Sequence, residues 1–262
     1  MGAAARRFDW TRQGRLASRR MALALAAGML LGAASLQADA LAAARAAFDA
    51  GRFLEAAEQA ASVGSADGLV LAAGALRVHG SYLAPAEEQK EYFQQAMEHA
   101  QAAVEMAPDD PRTHVESSSA IGRYAQTIGI GEALTGGYGG KMRDALHKAL
   151  ELDPDNAIAQ LALGSWHANV VDRTGALVGR MTFGATRKKA MEHLDRALAL
   201  APNDKTVLLE TGTALLVLDA DKHRERALEL LEAAVAIPPS NAYETLLHGQ
   251  ALERLEAVRT ER

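Results

Sequence analysis

Apolar and small residues recur three and four positions apart along most of this chain, the spacing that places them on one face of an α-helix. Four segments share one pattern: Ala96, Ala100, Ala103 and Pro108; Met142, Leu146, Ala149 and Pro154; Ala190, Leu194, Ala197 and Pro202; Ala227, Leu231, Ala234 and Pro239. In each, the first three residues share a helix face. The proline ends that helix, because it lacks an N–H and its ring clashes with the preceding turn. After each turn the pattern predicts a second helix with a small residue at a fixed place. Leu163-Gly164 with His167 follows Pro154, Gly212 with Leu215 follows Pro202, and Gly249 with Leu252 follows Pro239, while Ser118 takes that place after Pro108. A glycine there lets two antiparallel helices approach closely, in return for about 1 kcal/mol of helix propensity.

The prolines lie 46, 48 and 37 residues apart, against a period of about 34 for a plain helix-pair repeat. Two repeats are therefore enlarged, and the extra residues fall between paired helices at 128–141 and 171–185. Residues 219–222 read as an ordinary short turn. Upstream, 41–61 reads as a degenerate helical pair around Gly51, and 66–83 with 86–106 as another pair. Together these features make the tetratricopeptide pattern. The expected fold is an all-α, tetratricopeptide-like solenoid with two enlarged repeats, spanning residues 41–262.

Residues 92–241 also resemble the regulator of microtubule dynamics family. The likeness is carried by segment 96–108, by Gly129-Ile130-Gly131 ahead of Asp144-Ala145-Leu146, by Leu163-Gly164-Ser165-Trp166-His167, and by segment 190–202. That family combines enlarged inter-helix segments with a Leu-Gly-x-Trp helix. The resemblance implies a fold and a binding role. The links of its eukaryotic members to microtubules and organelle contacts are not carried over to a chain with a bacterial-type export signal.

The N-terminus changes the picture next. Six arginines precede an apolar run over residues 21–36, which ends in Ala38-Asp39-Ala40. A basic start, a short apolar core and a small-x-small site read as a secretory signal peptide over residues 1–40, cut after Ala40. The expected address is the periplasm. The other reading is an uncleaved N-terminal anchor. Residues 1–40 hold six of the 28 basic and two of the 33 acidic residues, so the remainder carries a net charge of −9. That balance argues against nucleic acid and anionic membrane as partners, and no stable membrane insertion is expected after cleavage. The chain has no cysteine, which removes disulfides, thiol nucleophiles and zinc–thiolate sites.

No catalytic constellation emerges, so the chain is read as a binding protein rather than an enzyme, with no cofactor and no metal. Gly136-Gly137-Tyr138-Gly139-Gly140-Lys141 falls short of a phosphate loop, which needs Gly where Thr135 stands and Ser or Thr where Met142 stands. It reads as a mobile glycine-rich turn. The histidines show no metal-binding pair along one helix. His99 and His193 are expected to be exposed, and His167 is expected to be a satisfied interior residue. Trp166 packs beneath the second insertion or anchors a ligand. Ser117–Ser119 are small residues at a helix crossing.

The first helix of each pair should line the concave side of such a solenoid. The repeat register places Arg112, Ser119, Arg123, Ser165, Asn169, Thr213, Gln250 and Arg254 there. Arg112, Arg123, Trp166, Asn169 and Arg254 are the expected partner-binding residues. A lining rich in arginine suits a carboxylate, such as an acidic peptide or a chain terminus. The leading function is an exported scaffold gripping a protein or peptide of unspecified identity in its concave groove. The alternative is a small-molecule-binding accessory protein of a solute transport system. Oligomeric state is left open.

Overall fold

The computed structural model of the chain describes residues 36–260. The expected signal peptide lies outside the described residues, apart from its last five. Helix α1 covers 36–49, followed by α2 (Phe53–Ser62), α3 (Ala66–Tyr82), α4 (Ala86–Met106), α5 (Pro111–Thr127), α6 (Gly129–Thr135) and α7 (Tyr138–Leu152). Then come α8 (Ala157–Thr174), the short α9 (Ala176–Val178) running into a π turn (Gly179–Phe183), α10 (Arg187–Leu200), α11 (Lys205–Ala236) and α12 (Ala242–Thr260). No strand occurs among the described residues. The helices pair as α1 with α2, α3 with α4, α5 with α7, α8 with α10, and the two halves of α11 with each other. The two enlargements are α6 with the turn after it, and α9 with the π turn.

Local chemistry repeats at each junction. Two residues after each repeat proline stands an Asp or Asn whose side chain accepts a backbone N–H of the next helix. Asp110 takes that of Arg112, Asn156 that of Ala159, Asp204 that of Val207 and Asn241 that of Glu244, each at 2.9 Å. Such caps stabilise a helix start by about 1 kcal/mol each. The repeat alanines Ala103, Ala149, Ala197 and Ala234 are fully buried. A Cβ on Gly164 would lie 2.8 Å from Leu194 Cγ, so this glycine permits the close approach of α8 to α10.

Two details differ from the sequence expectation. The turn at 219–222 shrinks to one extended residue, Asp219, whose carboxylate accepts the Lys222 N–H at 3.2 Å and restarts the helix. Gly249, the expected counterpart of Gly164, has nothing within 4 Å of its would-be Cβ. Among the described residues no helix packs on that flank of α12.

Helix α12 is used otherwise. It lies on the outer half of α11 through Leu247, Ala251, Leu255 and Val258. It also reaches back to the start of the array. Tyr82 on α3 donates its hydroxyl to Gln250 at 2.7 Å. The Phe48 ring lies edge-on to Tyr243 at 5.9 Å, and the Asn241 amide donates to Asp49 at 3.2 Å. The solenoid therefore curves until its last helix touches its first pair and α3.

Candidate functional site

This closure turns the concave side into a walled cleft of about 560 Å³. Helix α5 supplies Ser118, Ser119, Gly122 and Arg123, and α8 supplies Ser165, Trp166, Asn169 and Arg173. Leu134 of α6, Met142 of α7 and Phe183 of the π turn add apolar surface. Arg77 and Tyr82 of α3, Glu210 of α11 and Tyr243 of α12 close the far side.

The arginines of the cleft differ in their company. Arg77 donates to Glu116 at 2.9 and 3.4 Å, and both side chains are largely buried. Burial alone would lower the Arg77 pKa, but the Glu116 carboxylate outweighs it and the net effect is upward, so the pair stays charged. Arg123 makes one weak contact, to Gln126 at 3.4 Å, and no carboxylate pairs with it or with Arg173 among the described residues. Outside the cleft, Arg52, Arg112, Arg143, Arg196, Arg226 and Arg259 each meet a carboxylate. Burial, then the neighbouring Tyr243, pushes the Tyr82 phenol up to about 12, so it remains a neutral donor to Gln250.

The glycine-rich segment 136–141 is largely helical rather than a loop. Gly137 adopts a left-handed φ of +67°, and Tyr138 to Lys141 form the first turn of α7. The turn is held because Tyr138 packs on Tyr124 with centroids 5.5 Å apart, and because the Trp166 indole N–H donates to the Gly139 carbonyl at 2.9 Å. Trp166 thus ties the start of α7 to α8, packs with Leu146, Leu163, Val171 and Ala185, and, nearly buried, shows only an edge to the cleft.

Behind it, His167 is 2% exposed and stacks on His193 with centroids 5.7 Å apart. Its Nδ1 is buried without a hydrogen-bond partner, so it is interior but not satisfied. Burial first, then His193 and Lys189, depresses its pKa to about 4. His99 and His193, expected to be exposed, are both half-buried; the His193 ring nitrogen meets Gln160 of α8 at 2.7 Å.

The model of the family described as Regulator of microtubule dynamics protein 1-3 matches residues 36–259. The chain belongs to that family. A solved thermophilic tetratricopeptide-repeat protein from Thermus thermophilus is similar over 83% of this chain and 99% of its own, with 18% identity and a TM-score of 0.60. At that identity the likeness speaks for the fold. No curated protein matches. The family match extends well beyond the 92–241 stretch in which its motifs stand out, and takes in the N-terminal pairs and α12.

Of the five expected partner-binding residues, Arg123, Trp166 and Asn169 come together on the cleft, and so do Ser119 and Ser165. Arg112 does not: at the first turn of α5 it bridges Asp110 and Asp67, clipping that helix to the start of α3. Arg254, one turn beyond Gln250, is exposed away from the cleft, and Gln250 itself serves the closure. Thr213 is turned to its own helix, donating to Leu209. The reading of the repeats overlooked Arg77, Arg173 and Glu210. Arg77 lies in a pair whose register the degenerate pattern hides, and Arg173 at the end of α8 lies inside an enlargement. Glu210 stands two residues before Gly212, so the α11 register could have placed it.

Proposed function

We propose that this protein is an exported, non-enzymatic binding module that takes a carboxylate-bearing segment of a partner protein into the cleft. The observation that carries the reading is the pair Arg123 and Arg173: both face the cleft without a carboxylate, while Arg77 in the same cleft is matched by Glu116. A planar guanidinium accepts a carboxylate in a forked geometry. The apolar walls from Leu134, Met142, Trp166 and Phe183 would shield that contact from water and receive the neighbouring side chains of the segment. Tetratricopeptide-type solenoids commonly offer their concave side to extended ligands.

The test is a set of short acidic peptides with free or amidated C-termini, titrated by calorimetry. Binding of the free-acid forms should fall by about 2–5 kcal/mol in Arg123→Ala or Arg173→Ala if the contact is desolvated. Equal binding of free and amidated peptides, unaffected by either substitution, overturns the reading.

A second reading has its own support. Because α12 closes the array, the cleft volume lies within the range of about 300–1,000 Å³ typical of small-ligand pockets. A small organic anion of a solute transport system would then be the occupant. Melting shifts with a panel of di- and tricarboxylates, absent with the peptides, would favour it.

Export belongs to the same proposal. Residues 36–40 are exposed and Ala44 is the first buried side chain among the described residues, so cleavage after Ala40 removes no described core residue. N-terminal sequencing of the exported protein should begin near Leu41. An intact N-terminus in a membrane fraction would favour the anchor.

A further inference from the structure

The second enlargement has an inside and an outside of opposite character. On the inside, Gly179 is seated against Val171 and Thr174, Ala185 is buried, and the Phe183 carbonyl accepts from Arg143 at 3.4 Å. On the outside, Leu177, Val178 and Met181 are 63%, 49% and 76% exposed. Their spacing puts the three on one side of consecutive helical turns, as a single apolar knob held on an anchored base. The surrounding chain is basic. Between 173 and 189 it carries Arg173, Arg180, Arg187, Lys188 and Lys189 and no Asp or Glu. Lys188 has Glu192 at 3.6 Å, with both groups exposed. Arg180 and Arg187 have no carboxylate partner among the described residues.

We propose that this knob docks the protein on an anionic lipid surface. Leu177, Val178 and Met181 enter the headgroup region, and Arg180, Arg187 and Lys188 meet the lipid phosphates. Two arguments choose this occupant over a protein. Three apolar side chains are far fewer than the 20–30 residues per side of an ordinary protein interface. A bilayer needs no complementary pocket, and apolar side chains rimmed by cations are what interfacial attachment uses. The net charge of −5, or −9 counted beyond residue 40, weighs the other way at long range. At physiological salt, however, charges beyond about 8 Å are screened, so the basic rim decides at contact. No described helix is long and apolar enough to cross a membrane, and the attachment is to the surface only. The proposal goes beyond the cleft reading and stands without it.

The chain has no cysteine, so Met181→Cys in the full chain carries one environment-sensitive fluorophore. Glu229→Cys, exposed on the outer half of α11, is the reference site. Phosphatidylcholine vesicles containing phosphatidylglycerol should shift emission at 181 to the blue and leave 229 unchanged, and pure phosphatidylcholine should do neither. Each cation near such a surface strengthens binding about fivefold, so Arg180→Glu, Arg187→Glu and Lys188→Glu together, which remove three cations and add three anions, should raise the lipid needed by at least about 100-fold. An unchanged urea midpoint in that triple variant would show that the fold is kept. The proposal is overturned by no shift at 181, by equal shifts at 181 and 229, or by a shift that survives charge reversal. An effect produced by acidic protein but not by vesicles overturns it as well.

Discussion

Helices α8 and α12 carry the same signal, a glycine ten residues after a repeat proline, and meet opposite surroundings. At α8 the glycine is filled from outside: Leu194 of α10 sits where a Cβ would go. At α12 the same position opens on empty space. The α8 core includes Leu163, Trp166, His167 and Ala168, all buried within the local repeat stack. Helix α12 buries one face on α11 and spends Tyr243 and Gln250 on residues nearly 200 and 168 positions earlier in the chain. A repeat motif thus gives a helix the capacity to receive a neighbour. In α12 that place stays open among the described residues, and the closure is made by Tyr243 and Gln250 instead.

The largest effects should separate the two helices by sign. Gly164→Ala should destabilise by about 1–3 kcal/mol, through overpacking against Leu194, with Ala197→Leu in the facing helix behaving alike. Gly249→Ala should be neutral or stabilise by up to about 1 kcal/mol, since alanine favours the helix and meets nothing. Urea midpoints measure both. Equal losses at 164 and 249 would break the comparison.

The next effect belongs to the α8 side. The folded pKa of His167 is about 4, against 6.5 when unfolded, so the folded state disfavours the charged form. Its contribution is fully present above pH 6.5 and is lost as pH falls from there toward 4. Between pH 7 and pH 5 the loss should be roughly 2 kcal/mol. His193, also depressed by burial and by His147, adds in the same direction. His167→Gln should flatten the dependence of the urea midpoint on pH; an unchanged slope would refute the assignment.

A smaller effect tests the closure. Tyr82→Phe removes the hydroxyl that meets Gln250 and should cost about 1 kcal/mol. Hydrogen exchange should then rise first in α12, while α8 and α10 keep their protection. Smallest is the exposed contact of Asn241 with Asp49: Asp49→Ala should change stability by no more than about 0.5 kcal/mol. A loss as large as that at Tyr82 would mean that the closure is polar rather than carried by Phe48, Tyr82 and Tyr243.

Much of the fold was legible because each repeat encodes its own packing. The alanines at 149 and 197, the prolines that end each helix and both enlargements lie where the spacing put them. These are contacts between chain neighbours, set by periods of three and four. The cleft was legible in part. Arg123, Ser165 and Asn169 follow from the register of two well-marked helices. Arg112 and Arg254 fit the same register on paper, yet nearby carboxylates claim the first, and the second lies beyond the closure contacts.

What the sequence determined by itself is the all-α repeat, the helix ends at the prolines, the small residues at the crossings and the site of each enlargement. Each depends on residues within one or two helices of one another. What only the tertiary structure decided is how far the array curves. Small rotations at successive junctions accumulate until α12 meets α1 and α3, and no local pattern records that sum. The walled cleft and the unmatched Arg123 and Arg173 within it follow from that accumulated geometry.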